Sequence, residues 1–225
     1  MKKPALIFAI VTFLISFLMA FVIAKSVFKQ DIDTSKKNVG LQSEVMQDGD
    51  IIFQTSQSAQ CEAVRIATNS KFSHCGIIFT IDGKKMVLEA VQPVKFTNVD
   101  VWISHGKDSK YVLKRLINAE TKLSSMVIEK MKLYGKSFLN KDYDVYFSWN
   151  DNEIYCSELV WKIYKNAANF ELCKTAKLKS FQLDDTKVKL ILKQRYGNAI
   201  PFDEAVVAPS QLVESKILKT IFDNY

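Results

Sequence analysis

The hydrophobic pattern opens with a run from Ala5 to Ala24 that holds no charged residue. As a helix rising about 1.5 Å per residue, it is long enough for the roughly 30 Å hydrocarbon core of a bilayer. Lys2 and Lys3 precede it, and Val22-Ile23-Ala24 resembles the small-residue pattern read by signal peptidase. Residues 1–24 therefore read as a signal peptide or a single-pass anchor, in either case an N-terminal apolar helix. From Lys25 to Gln47 the chain turns polar, with Asp31, Asp33, Lys36, Lys37 and Ser43 and little apolar periodicity. Residues 25–47 are thus expected to be a linker, with a single domain over 48–225.

Within that domain the apolar period changes several times. Ile51-Ile52-Phe53 reads as a short buried strand, and Ala59, Ala63, Ile66 and Ala67 place Ser58 to Thr68 on a helix. Three apolar runs follow, His74 to Ile81, Met86 to Val91 and Tyr111 to Leu116, with Asp82-Gly83 turning between the first two. They predict an antiparallel sheet. Glu120 to Tyr134 has helical spacing and a stop at Gly135, and a further helix begins near Cys156, with Leu159, Val160, Ile163 and Tyr164 on a broad apolar face. Thr186 to Tyr196 reads as a basic amphipathic helix closed by Gly197. Pro209-Ser210 opens a last predicted helix carrying Leu212, Ile217 and Ile221. The expected class is α+β, an antiparallel sheet packed on a central helix that bears the cysteine.

Charge and cysteine content narrow the partners. The net charge is +7, and because Lys2 and Lys3 are the only charges in residues 1–24, the remainder keeps +5. Attraction to anionic lipid or an anionic envelope polymer follows. The lysines are scattered with no basic-aromatic array, so nucleic acid is not an expected partner. The layout points to an exported protein, membrane-anchored through residues 5–24 or periplasmic. Cysteines at 61, 75, 156 and 173 form no C-x-x-C pair and no zinc-ligand spacing, so neither metal nor cofactor is expected. In an oxidising compartment Cys61 and Cys173 are the candidate pair for a bridge, although a cysteine on an apolar helix is more often core.

Cys156 carries the chemistry. A thiol reacts as thiolate, and a helix start lowers its pKa through unpaired N–H groups that can also receive an oxyanion. Glu158 two residues on can point away, because i and i+2 do not share a helix face. Of the two histidines, His105 lies in the turn-like Ser104-His105-Gly106-Lys107, whereas His74 heads an apolar strand and is the better-held base. Glu89 is the acid in the neighbouring apolar run Met86 to Val91, placed to orient the imidazole. Cys75, next to His74 on a strand, points to the opposite face and reads as packing. Each residue alone is more often structural; a strand histidine, an acid on the next strand and a helix-start cysteine together make the case.

These residues resemble a known family. Asp48-Gly49-Asp50-Ile51-Ile52-Phe53-Gln54, Ser73-His74-Cys75-Gly76-Ile77-Ile78, Leu88-Glu89-Ala90 and Tyr155-Cys156-Ser157-Glu158-Leu159-Val160 look like the YiiX-like branch of circularly permuted, NlpC-related papain-fold hydrolases, as does the chain order His, Glu, Cys. Gly197-Asn198-Ala199-Ile200-Pro201 and Ala208-Pro209-Ser210 resemble its less specific C-terminal segment. The resemblance implies Cys156 as nucleophile, His74 as base and Glu89 as orienting residue, with Tyr155 lining the site. It also implies thiol-dependent hydrolysis or acyl transfer at an amide or ester bond, the substrate being a lipid or a peptidoglycan-derived molecule. The alternative is a membrane-anchored binding module that uses the same groove without turnover.

Overall fold

A computed structural model of the chain describes Lys25 and residues 45–225. The expected N-terminal apolar helix lies outside the described residues, as does nearly all of the expected linker. No helix among the described residues is long and apolar enough to cross a membrane. Residues Met46–Tyr225 form one compact unit.

At the centre of this unit is β1 (Ile51–Gln54), whose four residues are all buried. A strand covered on both faces has no solvent-facing side, hence its apolar run Ile51-Ile52-Phe53 before the buried Gln54. It pairs with β2 (His74–Ile81) and with β5 (Val112–Leu116). β2 turns into β3 (Lys84–Glu89) through Asp82 and Gly83, both at positive φ, as a tight hairpin turn requires. β4 (Lys95–Asn98) lies beyond β3, and β8 (Leu218–Asp223) closes the other edge. The order is β4-β3-β2-β1-β5-β8, with every pairing antiparallel.

Alternation along the strands sorts side chains onto two faces. On one, Phe53, Cys75, Ile77 and Leu88 pack with Met131 of α4 (Ser125–Lys136) and with Leu159 and Val160 of α5 (Cys156–Lys162). On the other, Ile52, Ile78, Val87 and Leu113 pack with Trp102 and Ile103 of α2 (Val99–Ser104). A smaller cluster joins Ala63 of α1 (Ala59–Thr68) to Val188 and Leu192 of α6 (Thr186–Tyr196). A two-stranded ribbon, β6 (Ala176–Lys177) with β7 (Ala205–Val206), and α7 (Pro209–Val213) complete the fold.

The Asp48-Gly49-Asp50 motif is an anchor for β1. Asp50 accepts two hydrogen bonds of 2.7 Å from Arg115 on β5, and Asp48 accepts from the Thr80 amide at 2.8 Å and pairs with Lys132 of α4 at 2.8 Å. Gly49 adopts φ +90, a conformation that disfavours any side chain, and its carbonyl accepts the Tyr164 hydroxyl.

Several sequence expectations need correction. The helix expected over Glu120–Tyr134 is two, α3 (Ala119–Lys122) and α4, because Ser124 breaks the run and caps α4 through the Val127 amide. Gly135 does not end α4 but lies inside it, where a Cβ would stand 2.5 Å from Leu88 and 3.1 Å from Ile163. Its role is close packing against the sheet. The last helix ends at Val213; Ile217 lies beyond it, and Ile221 belongs to β8, drawn into extended form by pairing with β5.

Candidate active site

Cys156 is the first residue of α5, with Tyr155 extended before it at the N-cap (φ −104°, ψ 166°). Glu158, in the first turn, has its carboxylate 3.5 Å from the Tyr155 amide and 2.7 Å from Lys162 one turn on. It thus turns away from the cysteine and braces the helix start. Burial pushes the Glu158 carboxyl up to about 7 despite the Lys162 ammonium.

His74 heads β2 and points to the sheet face opposite α5. Its Nε2 lies 2.6 Å from Oε2 of Glu89, whose second oxygen accepts the Thr97 hydroxyl of β4 at 2.5 Å. Trp102 of α2 stacks on the imidazole, with ring centroids 5.7 Å apart and planes 25° from parallel. Both members of the pair are buried, His74 to 7% exposure and Glu89 to 3%. With Nε2 committed to Glu89, Nδ1 is the ring nitrogen left for the neighbouring Cys156 sulfur.

The electrostatics couple these groups. Burial works against charge on the imidazole, yet pairing with Cys156 and then Glu89 raises His74 to about 10. Burial likewise opposes ionisation of Glu89, but His74 and Thr97 hold its carboxyl below the usual range. Cys156 is pulled well below the ordinary thiol range, first by a hydrogen bond from Cys75 and then, against burial, by His74. Both shifts run in the direction that favours a thiolate beside an imidazolium.

Two cavities meet here. An apolar pocket of about 550 Å³, open mouth included, is lined by Cys156, Tyr155, Val64, Phe147, Leu178 and Val207. A larger polar cleft carries His74, Glu89, Gln54, Gln60, Lys95 and His105. Val64, Ser73 and Tyr143 line both. The Tyr143 hydroxyl accepts from Gln60 of α1 at 3.1 Å, tying the loop before α5 to that helix. Cys156 thus lines the apolar pocket, while its partner His74 lines the polar cleft.

All three residues chosen from sequence, Cys156, His74 and Glu89, come together, and Tyr155 lines the apolar pocket. His105 caps α2 at the cleft margin, while Cys61 and Cys173, like the other two cysteines, are free. Sequence reasoning missed Thr97, Trp102 and Tyr143. It read Cys75 as packing, and Cys75 is fully buried in the main core on the face covered by α5.

Residues 45–222 match the family described as permuted papain-like amidase enzymes, YaeF/YiiX, C92 family. The chain is 43% identical over 175 residues to the uncharacterized protein YiiX of Escherichia coli K12, covering 78% of this chain and 85% of that one. It also matches the crystal structure of the metalloprotein YiiX from Escherichia coli O157:H7 with a TM-score of 0.75 and 42% identity, over 80% of this chain and 98% of the other. Among the described residues of the present chain, no group of three or more His, Cys, Asp or Glu is placed to hold a metal ion. A papain-like constellation delivered in the order His, Glu, Cys, an α+β fold built on an antiparallel sheet, and a family match over most of its length place this chain in the permuted papain-like amidase family of YaeF and YiiX.

Proposed function

We propose that this protein hydrolyses, or transfers, an apolar acyl group held in amide or ester linkage to a polar partner, through a thioester on Cys156. The observation that carries this reading is the set Cys156, His74 and Glu89, with Cys156 lining an apolar pocket and His74 and Glu89 lining the adjoining polar cleft. The Cys156 thiolate attacks the carbonyl carbon. The His74 imidazolium gives its proton to the departing nitrogen or oxygen, and the acyl group remains on sulfur. His74, now neutral, takes a proton from water or another acceptor as that molecule attacks the thioester, which returns the thiolate and the imidazolium. Glu89 keeps the ring oriented and compensates its charge throughout.

The pocket's lining favours a lipid acyl chain over a muropeptide, because Val64, Phe147, Leu178 and Val207 offer no partner to a peptide's amides. The polar cleft suits the head group or amine that leaves. Anchoring through Ala5–Ala24, with the domain exported, would set this site beside membrane lipid. A binding module without turnover has no use for a nucleophile poised against an imidazolium.

The test presents the full chain with three panels: N-acyl amides, phospholipids and muropeptides. Turnover of the acyl-chain substrates, abolished by Cys156→Ala, is expected. Turnover confined to muropeptides would move the substrate assignment to the cell wall.

A further inference from the structure

The segment between Tyr143 and the cysteine helix is bent, and at Phe147 its backbone stands at φ 51°, in the left-handed region that a bulky side chain rarely occupies. Hydrogen bonds fix the bend on either side. Asp144, fully buried, accepts the Tyr146 amide at 2.7 Å and the Ser148 hydroxyl at 2.9 Å, and the Trp149 amide donates to Glu204 at 2.9 Å. The Tyr196 hydroxyl of α6 donates to the Tyr146 carbonyl. Glycine or asparagine would suit this backbone better, so the bend itself gives no reason for an aromatic residue. The surroundings of the ring give one. It lines the apolar pocket together with Cys156 and Tyr155, meets the Tyr155 ring edge to face with centroids 5.1 Å apart and planes at 90°, and carries the Arg195 guanidinium of α6 at 5.1 Å from its centroid.

Resting on the function proposed above, we infer that Phe147 is a specificity-determining residue: its ring is a fixed wall of the acyl pocket and limits the bulk of the chain bound beside Cys156. A wall selects only if it does not yield. The bonded bend holds the Phe147 backbone, while Tyr155 and Arg195 hold the ring from two directions, so a longer or branched chain cannot displace it without breaking those contacts. Arg195 is not among the residues that line the pocket, so its charge supports the ring from outside and does not meet the acyl chain. It is a positioning residue that acts through Phe147. Strain kept at one bulky residue, beside a nucleophile, is the pattern of a site whose shape matters more than the comfort of its backbone.

The experiment compares the full-length wild type with Phe147→Ala, Phe147→Gly and Arg195→Met on linear acyl esters from acetyl to palmitoyl that share one chromogenic leaving group. In both Phe147 variants the ratio of kcat/KM for the palmitoyl ester to that for the acetyl ester is expected to rise about tenfold, the lower end of what one methylene is worth in a hydrophobic pocket. Arg195→Met, which keeps the ring but frees it, should raise the ratio less. Phe147→Gly relieves the backbone and Phe147→Ala does not, so a change of selectivity shared by both belongs to the lost ring and not to altered stability. An unchanged or lowered ratio in the Phe147 variants, or an equal loss on every chain length, overturns the inference. If a Phe147 variant loses its cooperative melting transition, Arg195→Met decides by the same ratio. Alkylation of wild-type Cys156 by iodoacetamide, followed by mass spectrometry of the Cys156 peptide, separates the two levels of the account. A sulfur no more reactive than an ordinary thiol, with no ester of any length turned over, rejects the proposed function and the inference with it.

Discussion

Nε2 of His74 lies 2.6 Å from Oε2 of Glu89, and that contact determines which imidazole nitrogen serves the cysteine. The two residues are diagonal neighbours across β2 and β3, with Thr97 holding the far carboxylate oxygen and Trp102 covering the ring. Glu89→Ala should lower kcat/KM for the acyl substrate by roughly a hundredfold or more, within the range usual for general acid–base contributions. Glu89→Gln, which keeps an oxygen acceptor but no charge, should fall between. Steady-state kinetics with a chromogenic acyl ester checks this, and an unimpaired Glu89→Ala enzyme would remove Glu89 from the site.

The pH dependence follows from the directions of the shifts. In the proposed mechanism activity needs the thiolate and the imidazolium together. It is lost toward acid as Cys156 takes up a proton, at a pH well below the ordinary thiol range, and toward base as His74 gives one up at about 10. The two limbs belong to the pair as a unit. The alkylation rate should therefore already be at its plateau at neutral pH, where a free thiol of pKa about 8.5 is mostly protonated. A rate that still climbs steeply between pH 7 and pH 9 contradicts the ion pair.

The apolar pocket makes a separate claim on chain length. Ala67→Phe introduces a ring into the lining of α1 at a position that borders the apolar pocket and not the polar cleft. For long-chain substrates kcat/KM should drop about tenfold, equivalent to roughly 1.4 kcal/mol of binding. An acetyl substrate should be little affected. Equal losses for both chain lengths would place the acyl group elsewhere.

Gly76 allows β2 and β3 to approach closely beside the His74–Glu89 pair. A Cβ there would stand 2.4 Å from Cγ1 of Val87 and 2.8 Å from the Leu88 carbonyl oxygen, and the latter is backbone that cannot step aside. Gly76→Ala should cost about 1–3 kcal/mol through overpacking. In thermal unfolding that is a fall in Tm of several degrees, roughly 2–4 °C per kcal/mol at this chain length. An unchanged Tm would mean the strands part freely.

Glu158 braces the start of the helix that bears Cys156, through the Tyr155 amide and Lys162. Glu158→Ala leaves the buried Lys162 ammonium with Asp151, the Asn150 carbonyl and the Trp149 ring face as partners. Breaking such a pair should destabilise the fold by about 3 kcal/mol. Denaturant titration measures the loss, and a variant as stable as the wild type would show that the pair contributes nothing.

How much of this could be read from the chain depended on whether the signal was local. β1, β2 and β3 are carried by apolar runs, and α6 by a clear helical period between Asp185, which caps it, and Gly197, so these matched closely. The placing of Cys156 at a helix start and His74 and Glu89 on neighbouring strands came from the same local pattern. β4 escaped because Lys95-Phe96-Thr97-Asn98 is short and polar and exists through its pairing with β3, and with it went Thr97. Trp102 reaches His74 only because α2 folds back over the sheet, a relation with no trace in local periodicity. The spacing of Leu212, Ile217 and Ile221 suits a helix by count alone. The competition from β5 for a strand partner decided otherwise.

The most direct test is to mix the full chain with an excess of a long-chain acyl ester or amide, quench with acid within the first turnovers, and weigh the peptide containing Cys156. The account predicts a mass increment equal to the acyl group on that peptide, absent in Cys156→Ala and reduced in His74→Ala. Substrate consumed at the wild-type rate by Cys156→Ala, with no acyl group ever found on this sulfur, would contradict it.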